Sequence, residues 1–151
     1  MLRQELNESL KKAMKAKDSC ATSTIRLILA ALKDRDIAAR TQGSDEKLSD
    51  DQILEVLQKM VRQRKDSIEM YAKGGRQDLV DRESREIEII EGFMPRPLSD
   101  AESEDAVQAV ISELGASSIK EMGQVMGELK RRYPGRMDFA KASAQVKDAL
   151  G

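Results

Sequence analysis

The amino-acid sequence predicts an all-α protein: an N-terminal four-helix bundle-like domain at residues 1–93 and a smaller three-helix domain at residues 94–151. Of the 151 residues, 40% are hydrophobic and 35% are charged, and the abundant types, such as Ala, Leu, Glu and Lys, favour helices. Hydrophobic residues recur at intervals of three and four along most of the chain. Pro95 and Pro97 interrupt this pattern and predict the domain boundary.

The first two helices are predicted from apolar spacing and from one cap. A first helix is expected from about residue 2 to 17, with its hydrophobic residues at Leu2, Leu6, Leu10, Ala13 and Met14. Ser19 is the predicted N-cap of the second helix. The middle of that helix, residues 24–32, is apolar on nearly every side except at Arg26, which is typical of a central, heavily buried helix.

A polar loop at residues 42–47 precedes the third helix. Ser49 and Gln52 form a capping-box pattern at its start, and Gly74-Gly75 predicts its end. Its buried stripe is predicted at Ile53, Leu57, Met60, Val61, Ile68 and Tyr71. The fourth helix has its inner line at Val80, Glu83, Ile87 and Ile90.

Three short helices are predicted after the prolines. Ser99 and Glu102 form a second capping box, and Gly115 ends that fifth helix. Ser118 is the predicted cap of a sixth helix through about residue 132, and Asp138 the predicted cap of a seventh. The core face of the sixth helix is expected to contain Ile119, Met122, Val125, Met126, Leu129 and Tyr133.

Composition excludes several kinds of chemistry. The chain has no histidine, so it can form neither a Ser-His-Asp triad nor a His-containing zinc site. Cys20 is its only cysteine, which excludes an internal disulfide, and we expect a small buried thiol there. No catalytic residue, metal site or cofactor is predicted. The sequence shows neither a membrane span nor a signal-peptide hydrophobic region, so we expect a soluble, cytoplasmic protein without membrane contact.

Charge is segregated along the chain. The net charge of −1 argues against a protein that coats nucleic acid through a bulk positive field. Residues 97–119 contain five acidic residues and no basic one, whereas residues 120–151 contain seven basic and four acidic residues. A net positive surface is therefore expected only in the last 32 residues.

Gly123 and Gly127 lie four residues apart beside the predicted core face of the sixth helix. Each glycine inside a helix costs about 0.5–1 kcal/mol relative to alanine, which suggests that something approaches the backbone closely. One explanation is a neighbouring helix of the same domain. The other is an RNA backbone held against this flank by Lys120, Lys130 and Arg131.

The basic run continues past the helix end to Arg136. Cations in a last helical turn also complement the helix dipole, so simple C-terminal capping is an alternative reading for the run. Arg136 gains less from capping and is the favoured contact residue. The candidate nucleic-acid-binding residues are Lys120, Gly123, Gly127, Lys130, Arg131, Arg132, Arg136 and Lys141.

Two features of the first domain have simpler interpretations. Arg62, Arg64 and Lys65 are expected on the solvated face of the third helix. Arg26, a charge within an apolar run, is expected to pair with Glu83 or Glu86 if it is buried.

Five segments together resemble the YqeY-like family over essentially the whole chain. These segments are residues 6–18, 24–33, 93–99, 120–127 and 133–138, and the last two, Lys-Glu-Met-Gly-Gln-Val-Met-Gly and Tyr-Pro-Gly-Arg-Met-Asp, are specific. The resemblance implies an all-α fold similar to the tail of the B subunit of the aspartyl/glutamyl-tRNA amidotransferase. Related domains are appended to some glutaminyl-tRNA synthetases, and both are understood as tRNA-binding appendages. The family's motif positions are Met122, Gly123, Val125, Met126, Gly127, Gly135, Arg136 and Asp138.

These observations lead to three functional expectations. The first is a non-catalytic, free-standing helical module associated with tRNA, with an aminoacyl-tRNA synthetase or an amidotransferase as a candidate partner. The second, implied by the family association, is a component of glutamine-dependent amide transfer, a carbon-nitrogen ligase activity with glutamine as the amido donor. The third is a protein-protein adaptor in which the glycine flank receives a partner helix and RNA plays no part.

Overall fold

The computed structural model describes residues 1–43 and 47–151, so the predicted loop at residues 42–47 lies partly outside the described residues. The described residues form seven α-helices and one 3₁₀ turn, with no β-strand among them, which confirms the all-α prediction. They fall into two compact units, Met1–Met94 and Pro95–Gly151. That these units are the predicted autonomous domains, with the boundary at residues 93 and 94, stays a prediction.

The first unit contains four helices: α1 (Leu2–Lys15), α2 (Ser19–Thr41), α3 (Asp50–Lys73) and α4 (Gln77–Glu91). The most extensive packing joins α3 to α4, while α2 contacts each of the other three helices. The buried core is aliphatic and consists of Leu2, Leu6, Ala13, Ile25, Ile28, Leu32, Ile53, Val56, Leu57, Met60, Val61, Ile87 and Ile90.

The junction between α1 and α2 differs from the prediction by one or two residues. Helix α1 ends at Lys15, and Lys17 adopts a left-handed conformation with φ of 57°. The N-cap of α2 is Asp18 rather than Ser19, because the Asp18 carboxylate accepts a hydrogen bond from the Ala21 backbone N–H at 3.0 Å.

Helix α2 buries one face rather than its whole circumference. Ile25, Ile28 and Leu32 are buried, but Leu27 is 50% exposed and Ile37 is 47% exposed. The prediction of a heavily buried central helix is therefore wrong, because the helix packs on neighbours from one side. Cys20, at the start of the same helix, is half-buried rather than buried.

The sequence predicts an ion pair for Arg26 and a solvated position for Arg64, and the structure shows the reverse. Arg26 is exposed, and its guanidinium group donates a hydrogen bond to the Met14 sulfur at 3.9 Å. Arg64 of α3 is the partner of Glu86 on α4, with 3.0 Å between Nε and Oε2, and their side chains are only 14% and 11% exposed. The spacing of residues along α3 could have predicted this position, because Arg64 follows the buried Met60 by four residues and so lies on the same inner face of the helix.

The second unit contains α5 (Asp100–Leu114), a 3₁₀ turn (Ile119–Glu121), α6 (Met122–Arg132) and α7 (Phe139–Leu150). The three helices pack against one another around a core of Ala106, Val107, Val110, Val125, Leu129, Met137, Ala142, Val146 and Leu150. Both predicted capping boxes, at Ser49 and Ser99, are present, and Gly115 ends α5 with φ of 63°. Asp138 caps α7 as predicted.

The start of α6 is an exception. Ser118 makes no side-chain cap, and the 3₁₀ turn precedes the α-helix. Ile119 is therefore outside the regular 100° progression and is 47% exposed, so its predicted place in the core face is wrong. Val125 and Leu129 are fully buried as predicted.

Candidate functional site

The glycine flank of α6, formed by Gly123 and Gly127, is open surface. Both glycines are exposed, and a Cβ added at either position would meet no described heavy atom within 4 Å beyond the helix's own backbone. A neighbouring helix of the same unit therefore does not explain this pair, and that prediction is wrong. The flank leaves the backbone of α6 accessible to an external molecule.

Three of the candidate residues, Lys120, Lys130 and Lys141, are exposed lysines. No carboxylate oxygen of a described residue lies within 4.0 Å of their ammonium groups. Lys130 lies with its Nζ 6.0 Å from the centroid of the Phe139 ring, the outer limit of a cation-π contact. These lysines carry positive charge that the described part of the chain does not pair.

Arg131 and Arg132 are paired with carboxylates. Arg131 Nε donates to Glu128 Oε2 at 3.0 Å, and Arg132 Nε donates to Glu128 Oε1 at 2.7 Å. The Arg132 Nη2 group also donates to Glu113 of α5 at 2.5 Å. Hydrogen bonds from Arg131 and then Arg132 lower the pKa of Glu128 to about 2, so this carboxylate is ionised at neutral pH. The two arginines therefore present less net positive charge than the sequence implies.

Arg136 lies in a clasp that holds the segment before α5. Its Nε donates to the Arg96 carbonyl oxygen at 2.9 Å, and its own carbonyl accepts from the Leu98 N–H at 2.8 Å. Arg96 in turn forms two 3.2 Å hydrogen bonds with Glu102. These bonds, and then those from Ser99, lower the pKa of Glu102 to about 2. Part of the Arg136 donor capacity is thus used inside the unit.

The structure therefore separates the candidate residues into two groups. Lys120, Gly123, Gly127 and Lys130 share the 3₁₀ turn and α6, and Lys141 is exposed in the first turn of α7. The arginines are engaged with partners of the same unit. The two Glu128 pairs have the i,i+3 and i,i+4 spacing that the sequence can reveal. The Arg132–Glu113 and Arg136–Arg96 contacts depend on tertiary packing, so sequence spacing could not reveal them.

Residues 1–43 and 47–151 lack two other kinds of feature. These residues contain no group of three or more Cys, Asp or Glu side chains arranged to hold a metal ion. None of their helices combines the length and the apolar character needed to cross a membrane.

Comparison with protein families decides where the chain belongs. A family model described as Yqey-like protein matches residues 3–150. The chain belongs to the YqeY-like family. The resemblance found in the sequence motifs is thereby confirmed over nearly the whole length.

Several relatives of this YqeY-like chain carry the name "Altered inheritance of mitochondria protein 41, mitochondrial". The protein of Kluyveromyces lactis is 34% identical over 142 residues, which cover 91% of this chain and 75% of the relative. That of Lachancea thermotolerans is 42% identical over 115 residues, which cover 75% of this chain and 59% of the relative. That of Saccharomyces cerevisiae (strain YJM789) is 32% identical over 130 residues, covering 82% and 68%. The matched region thus spans between about three fifths and three quarters of these relatives.

The names of these relatives contradict the predicted cytoplasmic location. Each name describes a mitochondrial protein, so the expectation of a cytoplasmic YqeY-like protein is wrong. The reason lies in the features used for the prediction. A missing hydrophobic leader separates secreted proteins from others, but mitochondrial transit peptides are amphipathic and Arg-rich and leave no such signal.

Proposed function

We propose that this YqeY-like protein is a non-catalytic tRNA-binding module that contacts the RNA backbone through the glycine flank of α6 and the lysines beside it. The observation that carries the proposal is the open backbone at Gly123 and Gly127 next to the unpaired Lys120 and Lys130. A phosphate group can approach a helix closely where no Cβ intervenes, and nearby ammonium groups then neutralise it. Lys141, exposed in the first turn of α7, is the third lysine of the proposed contact.

The proposed contact is to shape and phosphate rather than to bases. Aromatic side chains that could stack on bases are scarce here: Tyr133 and Phe139 are half-buried and pack against the core of the second unit. Three lysines also limit the number of phosphate contacts. We expect modest affinity that depends on an aminoacyl-tRNA synthetase or an amidotransferase as a second attachment.

The test is a titration of the full chain with total tRNA and with duplex DNA at several salt concentrations. Three phosphate contacts predict a slope of about −2 to −3 for log K against log salt concentration. Lys130→Gln should reduce the magnitude of that slope by about 1, while the matched exposed variant Lys147→Gln should leave it unchanged. Equal binding of tRNA and duplex DNA, or equal effects of the two variants, would contradict the proposal.

Gly127→Ala gives a second test that separates binding from folding. Because the added methyl group meets open space, this variant should raise the free energy of unfolding by about 0.5–1 kcal/mol through helix propensity. It should nevertheless weaken tRNA binding, since the Cβ holds the phosphate away from the backbone. A variant that is more stable and binds tRNA as well as the parent protein would contradict close approach at this flank.

A protein adaptor is the second candidate, and the exposed Ile119 favours it. An apolar side chain directly before two open glycines suits close packing of a partner helix. The adaptor predicts that Gly127→Leu abolishes capture of a partner protein while Lys130→Glu has little effect. Participation in amide transfer, the remaining expectation from the family, predicts glutamine-dependent ammonia release by the chain or its complex.

A further inference from the structure

An open pocket lies where α1 turns into α2, in the first unit. It has a volume of about 350 Å³ and is lined by Met14, Lys17, Ser19, Thr22, Ser23 and Arg26. This volume is at the lower end of the range for small-molecule sites. The lining contains two cations and three hydroxyl groups, and no carboxylate.

The two cations of the pocket have no acidic partner. No carboxylate oxygen of a described residue lies within 4.0 Å of the Lys17 ammonium or the Arg26 guanidinium. Asp18, the acid beside Lys17 in the chain, is directed elsewhere. One of its oxygens accepts from the Ala21 N–H at 3.0 Å, and the other lies 3.7 Å from Arg85.

The pocket wall also contains hydrogen-bond donors that have no partner among the described residues. The Met14 sulfur accepts one hydrogen bond from Arg26 Nη2, which leaves the other guanidinium N–H groups without a described partner. The side-chain hydroxyls of Ser19 and Thr22 make no hydrogen bond within the described residues, whereas Ser23 donates to the Cys20 carbonyl at 3.2 Å. Donors therefore outnumber acceptors along this wall.

We propose that this pocket binds a phosphate monoester of a small molecule. A phosphate monoester carries nearly two negative charges at pH 7 and three strong acceptor oxygens. Two unpaired cations and two free hydroxyls match that charge and that number of acceptors. A carboxylate or a phosphodiester carries a single negative charge and would leave one cation unpaired. The site is independent of the proposed RNA surface, because its residues belong to α1, α2 and their junction.

The experiment follows backbone amide signals of the full chain by NMR during titration with inorganic phosphate, with AMP and, separately, with tRNA. We expect AMP and phosphate to shift the signals of Ser19, Thr22 and Arg26, and AMP to bind at least as tightly as phosphate. Arg26→Gln should weaken AMP binding at least about tenfold, since it removes a charged hydrogen-bonding partner. The matched control is Arg35→Gln, an exposed arginine on the same helix, which should have no effect.

Lys17→Gly guards against a folding artefact. Glycine relieves the left-handed backbone at this position, so the variant should be at least as stable as the parent chain and should still bind AMP more weakly. Binding should also decrease as the pH falls through about 6, where the phosphate monoester takes up its second proton.

Three outcomes would overturn the proposal. The first is no shift of the pocket signals at about 10 mM AMP or phosphate. The second is equal weakening by Arg26→Gln and Arg35→Gln. The third is a shift of the pocket signals by tRNA but not by AMP or phosphate, which would assign the pocket to an RNA backbone instead.

Discussion

The two units of the chain use their arginines differently. In the first unit, arginines contact buried carboxylates on neighbouring helices: Arg3 pairs with Asp36 at 3.1 Å and Arg64 with Glu86 at 3.0 Å. In the second unit, Arg131 pairs at an exposed position within its own helix. These two pairs that join helices in the first unit thus have buried carboxylates, whereas the pair that joins α5 and α6 in the second unit, Arg132–Glu113, has a carboxylate that is 54% exposed, so solvent weakens it.

The hydrophobic cores of the two units also differ, in the size of their buried side chains. The first unit buries several large aliphatic side chains, among them Leu6, Ile28, Leu32 and Leu57. The second unit relies mainly on valine and alanine, and Leu129 is its one leucine without measurable exposure among the described residues. Because apolar stabilisation grows with buried area, we expect the second unit to be the less stable one.

The largest expected effects come from deleting one core leucine in each unit. Leu57→Ala and Leu129→Ala should each lower the free energy of unfolding by about 2–5 kcal/mol. In the smaller unit this loss is a larger share of the unit's own free energy of unfolding. In the variant Leu129→Ala, residues 95–151 should therefore unfold at a temperature where the first unit stays folded. NMR signals during a thermal melt check this. Simultaneous loss of both sets of signals would contradict the division into two autonomous domains.

The next effect concerns the Arg64–Glu86 pair. Arg64→Leu should cost about 2 kcal/mol, below the value for fully buried pairs because both side chains keep some exposure. The double variant Arg64→Leu/Glu86→Leu should recover most of that loss, since it leaves no unpaired charge. Arg131→Leu is the matched variant of an exposed pair and should change the free energy of unfolding by less than about 1 kcal/mol. Chemical denaturation measures all three, and equal costs at positions 64 and 131 would remove the contrast between the units.

Acid should act with opposite sign on Glu83 of the first unit and on Glu102 and Glu128 of the second. In the second unit the pKa of Glu102 and of Glu128 is lowered to about 2 from 4.5, so their contribution to stability is complete above pH 4.5 and is lost as the pH falls towards 2. In the first unit burial, and then the neighbouring Glu86, raises the pKa of Glu83, so protonating it relieves a cost. In the variant Glu128→Gln, the melting temperature of the second unit should therefore fall less steeply as the pH decreases from 4.5 towards 2. An unchanged dependence of this melting temperature on pH would contradict this assignment.

The smallest expected effect is a gain in stability. The Thr24 hydroxyl is fully buried in the first unit and has no hydrogen-bond partner among residues 1–43 and 47–151. Thr24→Val replaces it with a methyl group of similar shape and should raise the free energy of unfolding by up to about 1 kcal/mol. A lower melting temperature for this variant would mean that the hydroxyl has a partner in solution.

Local signals in the sequence predicted the helices well. Both capping boxes formed because each needs only residues three apart, and Asp138 caps α7 for the same reason. Ser19 failed as a cap because the preceding residue, Asp18, took that place. Ser118 failed because a 3₁₀ turn follows it.

Features that depend on tertiary contacts were predicted less well. The apolar run of α2 could not reveal that Leu27 and Ile37 face away from the other helices. Within the candidate site, spacing could not decide whether a neighbouring helix or an external molecule approaches Gly123 and Gly127, and only the structure shows that both glycines are open. Arg132 has one partner within helical spacing, Glu128, but its contact with Glu113 and the contact of Arg136 with Arg96 join residues 19 and 40 apart, beyond the reach of helical spacing. The roles of Arg132 and Arg136 in RNA binding stay predictions.

The clasp around Arg136 bears on how this unit can be transplanted. The proline-containing segment from Pro95 to Leu98 looks like a linker in the sequence, yet Arg136 is bonded to its Arg96 carbonyl and its Leu98 amide. A fusion junction placed after Leu98 would remove those bonds and leave the Arg136 guanidinium without its carbonyl partner. A transplanted second unit should therefore begin at or before Pro95, so that residues 95–98 and their hydrogen bonds with Arg136 are kept in the new host protein.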